Sequence, residues 1–264
     1  MAVGAKLKKL EAYLKGLPGL TIALSGGIDS SVLLILAQKI LGPGRLQAIS
    51  VSSIIMPERD LIRAQLLTAK LKVEHLILPF DHLSLENFRQ NPPNRCYHCK
   101  RAMFAEIQKF SRFPLADGTQ AEDLEEDRPG LEALKELGIL SPLKEIGFKK
   151  EDLRVIAKRE RLDYYKQEPS PCLATRFLPG EEITPQKIAL LKVAEDYLEA
   201  QGWRKIRVRL IQKVALIELG PEEIEKAFTF REEIVKFFRS LGFRKIYFSL
   251  EGYMPPRLSF HNHP

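Results

Sequence analysis

The chain of 264 residues is poor in the features that mark secreted or membrane proteins. No apolar run approaches the length of a membrane span, and Met1 to Lys9 lack the apolar core of a signal peptide, so a cytoplasmic protein is expected. Cysteine is scarce. Three residues, an odd number in a reducing compartment, argue against a disulfide framework and leave metal binding or thiol chemistry to account for them. Internal repeats and low-complexity tracts are missing, and no basic run is interleaved with aromatics as single-stranded nucleic-acid surfaces are. What is present describes a globular protein: 45% hydrophobic and 28% charged residues, enough chain for one medium and one small domain. A net charge of +7 suits an anionic ligand such as ATP, an acidic substrate or RNA, and equally a solubilising surface.

The stretch that organises the chain is Leu20-Thr21-Ile22-Ala23-Leu24-Ser25-Gly26-Gly27-Ile28-Asp29-Ser30-Ser31. Strand formers stop at Ser-Gly-Gly, and a helical apolar pattern begins within a few residues. Two glycines let the backbone approach an anion, while the free amides and positive dipole end of the following helix point at it. No Gly-Lys-Ser/Thr follows, so this is not the loop that transfers a γ-phosphate. An ordinary strand-turn-helix corner is the alternative.

Residues 6 to 16 read as an amphipathic helix. Further apolar runs at Leu46 to Val51, Val73 to Leu78 and Pro114 to Ala116, alternating with helical patterns, predict βαβ units and a parallel sheet with ligands at the carboxyl ends of its strands. Ser50, Ser52 and Ser53 then neighbour a nucleotide's base or ribose, or form a plain polar loop. Asn91-Pro92-Pro93-Asn94-Arg95-Cys96-Tyr97-His98-Cys99-Lys100 opens a helix, and its dipole with Arg95 and Lys100 favours thiolates. A single CxxC fits half a zinc site, a redox pair or iron-sulfur ligands; a four-cysteine zinc module is excluded. An acidic segment, Glu122, Asp123, Glu125, Glu126 and Asp127, follows Asp117-Gly118-Thr119 and could carry magnesium or stay a surface loop. Ser141-Pro142-Leu143-Lys144 separates two helices. Cys172 sits in the proline-stiffened Glu168-Pro169-Ser170-Pro171-Cys172-Leu173-Ala174-Thr175-Arg176, with Arg176 as a nearby cation.

From Pro179-Gly180 the pattern changes, which predicts a domain boundary between 1–178 and 179–264. A long helix from Ile183 to Gln201, antiparallel strands Arg204 to Ile211 and Lys213 to Leu219, a helix from Phe230 to Leu241 and a strand from Phe243 to Leu250 make a small α+β unit. Alternation sets Arg207 and Arg209 on one strand face, where they clamp a phosphate or simply meet solvent.

Ser-Gly-Gly-Ile-Asp-Ser resembles the pyrophosphate loop of the ATP pyrophosphatases, and that resemblance gives Ser25, Gly26, Gly27, Ser30 and Ser31 to the phosphates and Asp29 to a magnesium ion. Together with Asn-Pro-Pro-Asn-Arg-Cys-Tyr-His-Cys-Lys, Ala-Asp-Gly-Thr, Asp-Arg-Pro-Gly, Ser-Pro-Leu-Lys-Glu and Pro-Cys-Leu-Ala-Thr-Arg, in this order, the chain is similar to the LarE family of ATP-dependent sulfurtransferases. The resemblance implies an α/β fold with a doubly wound parallel sheet of the adenine nucleotide alpha-hydrolase type (PP-loop) and a smaller α+β C-terminal domain. It implies adenylation of pyridinium-3,5-biscarboxylic acid mononucleotide by ATP and displacement of AMP by sulfur, in making the nickel-pincer nucleotide. In one branch a single cysteine, here Cys172, gives up its own sulfur. In the three-cysteine branch Cys96, Cys99 and Cys172 hold a 4Fe-4S cluster whose fourth iron carries sulfide, and this sequence resembles that branch. Glu195 becomes a candidate substrate-site acid, and Arg207 and Arg209 the clamp for the substrate's phosphate. The segment Leu210 to Leu216 departs from the family, which tends to carry histidine, glycine and a further arginine there.

Two other readings compete. One is a tRNA thiolase of the iron-sulfur PP-loop type, which the pI near 9.2 permits. The other is a non-enzymatic nucleotide-binding protein with a structural zinc. The expected partner is a small-molecule nucleotide, without nucleic acid or membrane; the source of sulfide and a homo-oligomer stay open.

Overall fold

The computed structural model describes residues 2–124, 129–167 and 171–253. They form two compact units, the first drawn from Met1–His82 and Asn94–Ser170, the second from Leu83–Pro93 and Pro171–Pro264. The division falls a few residues before the boundary expected at 178/179, and it puts Cys172 in the second unit with the segment 83–93.

In the first unit four parallel strands, β1 (Leu20–Ala23), β2 (Leu46–Ser52), β3 (Glu74–Pro79) and β4 (Leu115–Ala116), stand in the order β3-β2-β1-β4. Period-two alternation explains how the sheet is covered. Leu20 and Ile22 of β1 and Leu46 and Ala48 of β2 enter one apolar cluster, with Leu10 and Leu14 of helix Val3–Lys15, Val32 to Ala37 of helix Ile28–Leu41, and Leu153, Ile156 and Ala157 of helix Lys150–Arg159. Ile49 and Val51 of β2 and Ala23 of β1 face the opposite way, against Phe104 and Ile107 of helix Arg95–Lys109 and Leu134 of helix Pro129–Glu136. Helices on both faces make the sheet doubly wound, as expected. The strand order reverses direction beside β1, so a crevice opens between the carboxyl ends of β1 and β4. Ser141-Pro142-Leu143-Lys144 is more than the spacer expected: Pro142 starts a short helix, Pro142–Ile146, closed by Gly147 at φ +86°.

The second unit has a three-stranded sheet in the order β5-β6-β7, with β5 (Ile206–Ile211) antiparallel to β6 (Val214–Leu219) and β7 (Lys245–Phe248) parallel to it. Helix Pro185–Ala200 is started by Thr184, whose hydroxyl accepts from the Lys187 amide. It buries Ile188, Leu191, Ala194 and Leu198, an i, i+3, i+6, i+10 stripe along one face of the helix. The helix expected from Phe230 is Arg231–Ser240, preceded by a short helix, Ile224–Thr229, that was not expected.

Candidate functional site

The Ser-Gly-Gly turn leaves β1 and enters helix Ile28–Leu41, with Gly27 as the capping residue. Gly26 adopts φ +77°, and a Cβ there would lie 1.9 Å from the Asp60 carbonyl oxygen, so only glycine lets the turn pass beneath the following helix, Glu58–Leu71. The Ser25 and Ser30 hydroxyls lie 3.1 Å apart, the Gly27 amide donates to Ser25 Oγ at 3.3 Å, and Ser30 Oγ donates to the Gly27 carbonyl. Two hydroxyls and a helix N-terminus are thus gathered at one point, a donor set for phosphate oxygens.

The loop after β4 closes on the same point. A Cβ on Gly118 would lie 2.7 Å from the Ser30 amide nitrogen, so Gly118 admits its strand end to the helix start. Asp117, buried, accepts from the Thr119 hydroxyl and, at 2.8 Å, from Ser141 Oγ, which fixes that loop. Asp29, in the first turn of the helix, has its pKa raised to about 6 by burial first and by the charges of Asp123 and Glu122, against the pull of Lys150 and Arg154. These four groups therefore share its surroundings. Of the acidic segment expected to carry magnesium, Glu122 and Asp123 are fixed by neighbours, Glu122 accepting from the Lys150 amide and Asp123 from that of Gln120. Glu125, Glu126 and Asp127 lie outside the described residues. On another side Tyr164 donates to Ser31 Oγ at 3.0 Å, and the Arg63 guanidinium sits 4.9 Å over its ring.

The serines after β2 take different roles. Ser50 is buried and donates to the Leu24 carbonyl just before the turn, with His75 Nε2 2.8 Å from its oxygen. It supports the loop rather than facing a ligand. Ser53 bonds Nδ1 of buried His82 at 2.7 Å, and burial pushes the pKa of that imidazole down to about 4. Ser52, at the last position of β2, is half-buried and its carbonyl accepts from the Phe80 amide.

In the second unit Cys172 precedes a 3-10 turn, Leu173–Arg176. Its carbonyl accepts from the Thr175 amide and hydroxyl, both at 3.0 Å, and Arg176 Nη1 reaches the Pro171 carbonyl at 3.0 Å. The rest of that guanidinium forms a two-pronged pair with Glu195, at 2.9 and 3.0 Å. Burial alone would lower the Arg176 pKa; the Glu195 charge and hydrogen bonds outweigh it and raise it. Glu195, expected as a substrate-site acid, is occupied by Arg176 and by the Val208 amide at 2.9 Å. Arg207 and Arg209 share a strand face as expected, yet that face is sealed rather than solvated: they are 0% and 5% exposed. Glu218, opposite on β6, accepts from Arg207 Nη1 at 3.3 Å and from Arg209 Nε, and Arg209 Nη1 donates to the Thr175 carbonyl at 3.3 Å. That last bond ties the arginine strand to the Cys172 turn.

The sequence profile of the NAD synthase family matches residues 5–102, the span holding the Ser-Gly-Gly turn and the CxxC. Over 97% of both chains the protein is 34% identical to the uncharacterized protein slr1717 of Synechocystis. It is 33% identical to the uncharacterized protein MJ0830 of Methanocaldococcus jannaschii, over 88% of this chain and 89% of that one. To the pyridinium-3,5-bisthiocarboxylic acid mononucleotide synthase of Lactiplantibacillus plantarum it is 30% identical, over 97% of this chain and 95% of that one. The chain belongs to the LarE family.

In this LarE-family chain Cys96 and Cys99 are the second and fifth residues of helix Arg95–Lys109, on one side of it by their spacing of three, with an Arg95 nitrogen 4.0 Å from Cys96 Sγ. No disulfide joins any of the three cysteines. Among the described residues no three His, Cys, Asp or Glu side chains gather as metal ligands do. The fit to an iron-sulfur cluster therefore rests on donor chemistry: three thiols, two of them adjacent at a cationic helix start. No helix among the described residues is long and apolar enough to cross a membrane. The sequence reading missed Lys150, Arg154, Tyr164, Glu218 and Tyr253. Glu218 alone left a trace, a single acid in an otherwise apolar strand.

Proposed function

We propose that this LarE-family protein uses ATP to insert sulfur into pyridinium-3,5-biscarboxylic acid mononucleotide, making the thiocarboxylate of the nickel-pincer nucleotide. The observation that carries the reading is the Ser25–Gly27 turn, where two hydroxyls and a helix start converge beneath a glycine that no other residue can replace. Ser25, Gly26, Gly27, Ser30 and Ser31 bind the β- and γ-phosphates, and Asp29 places the magnesium ion that accompanies them. A substrate carboxylate oxygen attacks the α-phosphorus, pyrophosphate leaves, and the carboxyl group becomes an acyl-adenylate. Sulfide then attacks the acyl carbon, AMP departs with the former carboxylate oxygen, and a thiocarboxylate remains.

Cys96, Cys99 and Cys172 are the residues that would hold a 4Fe-4S cluster, which when bound supplies an iron open to sulfide. The domain bearing the pyrophosphate loop serves ATP, and the C-terminal α+β domain serves the mononucleotide, whose phosphate meets the Arg207 and Arg209 strand. Glu195 acts by holding Arg176, and through it the backbone beside Cys172. Ser52, at the carboxyl end of β2, neighbours the nucleoside.

The test is pyrophosphate release from ATP with each acceptor offered separately. Cleavage that needs the pyridinium mononucleotide supports the reading. Cleavage stimulated by tRNA, or binding of ATP without cleavage under either condition, overturns it.

A further inference from the structure

Arg207 is an unusual choice for a phosphate ligand, because its side chain is wholly buried. Tyr253 lies against it. The ring centroid lies 4.4 Å from the guanidinium carbon, and Arg207 Nη2 donates to the phenol oxygen at 2.9 Å. The tyrosine is brought there by the chain reversal at Gly252, which has φ +72° and whose Cβ would lie 2.8 Å from the Leu219 carbonyl oxygen. That same carbonyl takes the Tyr253 amide at 2.6 Å, so the end of β6 holds the tyrosine over β5.

A phenol that accepts a hydrogen bond from a guanidinium still has its own proton to give. The Tyr253 hydroxyl donates to no acceptor among the described residues, and Tyr253 is half-buried where Arg207 is sealed. Beside the sealed cation, the phenol is the group that still has a proton to offer an anion. We propose that Tyr253 is a binding residue for the phosphate of the mononucleotide, donating its O–H to a phosphate oxygen while Arg207 fixes the phenol and supplies charge from beneath. The inference rests on the reading that the Arg207 and Arg209 strand serves that phosphate. A hydroxyl so placed also discriminates: an acceptor lacking the phosphate leaves it idle.

Tyr253→Phe keeps the ring over Arg207 and removes the hydroxyl, both the donor to the phosphate and the acceptor of Arg207 Nη2. Steady-state pyrophosphate release is measured for wild type and variant with the pyridinium mononucleotide and with its dephosphorylated nucleoside, together with KM for ATP and the melting temperature. The expected result is a KM for the mononucleotide raised about ten- to a hundredfold, as for a hydrogen bond to a charged group. KM for ATP holds, the melting temperature falls by no more than the few degrees that the lost Arg207 bond accounts for, and the variant's deficit disappears with the nucleoside. An active wild type whose mononucleotide KM is unaltered in Tyr253→Phe overturns the inference alone, since a hydroxyl that only accepts from Arg207 touches no substrate. An equal deficit with the nucleoside also overturns it. A wild type inactive with the mononucleotide overturns the proposed function itself, and with it this inference.

Discussion

Replacing Gly26 with alanine tests whether the turn after β1 is shaped for phosphate. At φ +77° an L-residue costs about 1–2 kcal/mol over glycine. The steric conflict is larger. The new Cβ would start 1.9 Å from the Asp60 carbonyl oxygen, and separations under 3.0 Å essentially do not occur, so turn or helix must give by about 1.1 Å. A displacement of about 1 Å at positioning atoms costs on the order of a hundredfold in rate. Gly26→Ala is therefore expected to lower the rate of pyrophosphate release about a hundredfold, while the backbone strain lowers the melting temperature by about 2–8 °C. Gly44→Ala is the control: nothing lies within 4 Å of its Cβ position and its φ is not positive, so neither quantity moves. Pyrophosphate release coupled to a colorimetric readout, with circular dichroism melting on the same preparations, measures both. A Gly26→Ala protein that is folded and within about threefold of wild type would refute the reasoning, because the turn would then tolerate the displacement.

Asp29, with its pKa raised to about 6, binds a cation only when ionised, so apparent magnesium affinity in ATP cleavage rises as pH increases through about 6. Asp29→Asn abolishes that inflection, which pH profiles at varied magnesium record. Glu218→Ala leaves Arg207 and Arg209 buried side by side without the carboxylate between them, and urea unfolding should show a loss of about 3–5 kcal/mol. His82 is held neutral, its pKa pushed down from 6.5 to about 4 mainly by burial, so the unfolded chain binds the extra proton as pH falls. Its contribution is present above pH 6.5 and is lost toward pH 4; between pH 7 and pH 5 it costs the fold about 2 kcal/mol, a slope that unfolding curves of His82→Gln should lack.

Much of this arrangement is legible in the chain because local chemistry dictates it. The apolar runs at Leu46 and Val73 had to be parallel strands, since helical patterns lie between them, and the glycines of the first turn announced a close backbone approach. Alternation along β5 put Arg207 and Arg209 on one face, and no more than that. Whether that face is wet or sealed depends on Glu218 of β6 and on Tyr253, residues paired with it only by strand register and by the reversal at Gly252. Gly118 is a similar case: its need to be glycine arises from Ser30, nearly ninety positions earlier in the chain, and becomes visible only once β4 lies beside β1. Segment 83–93 joins the second unit through bonds such as that from the Gly180 amide to the Asn91 carbonyl at 2.8 Å, which no period in the sequence reveals.

The most direct measurement of the central claim is mass spectrometry of the nucleotide product, made anaerobically from ATP, the pyridinium mononucleotide and isotopically labelled sulfide, with the protein itself weighed afterwards. The account predicts a thiocarboxylate carrying the labelled sulfur, one AMP formed for each sulfur inserted, and an intact Cys172. Unlabelled sulfur in the product with dehydroalanine at position 172 would contradict the sulfide route, and ATP cleavage that leaves the mononucleotide without sulfur would contradict the account as a whole.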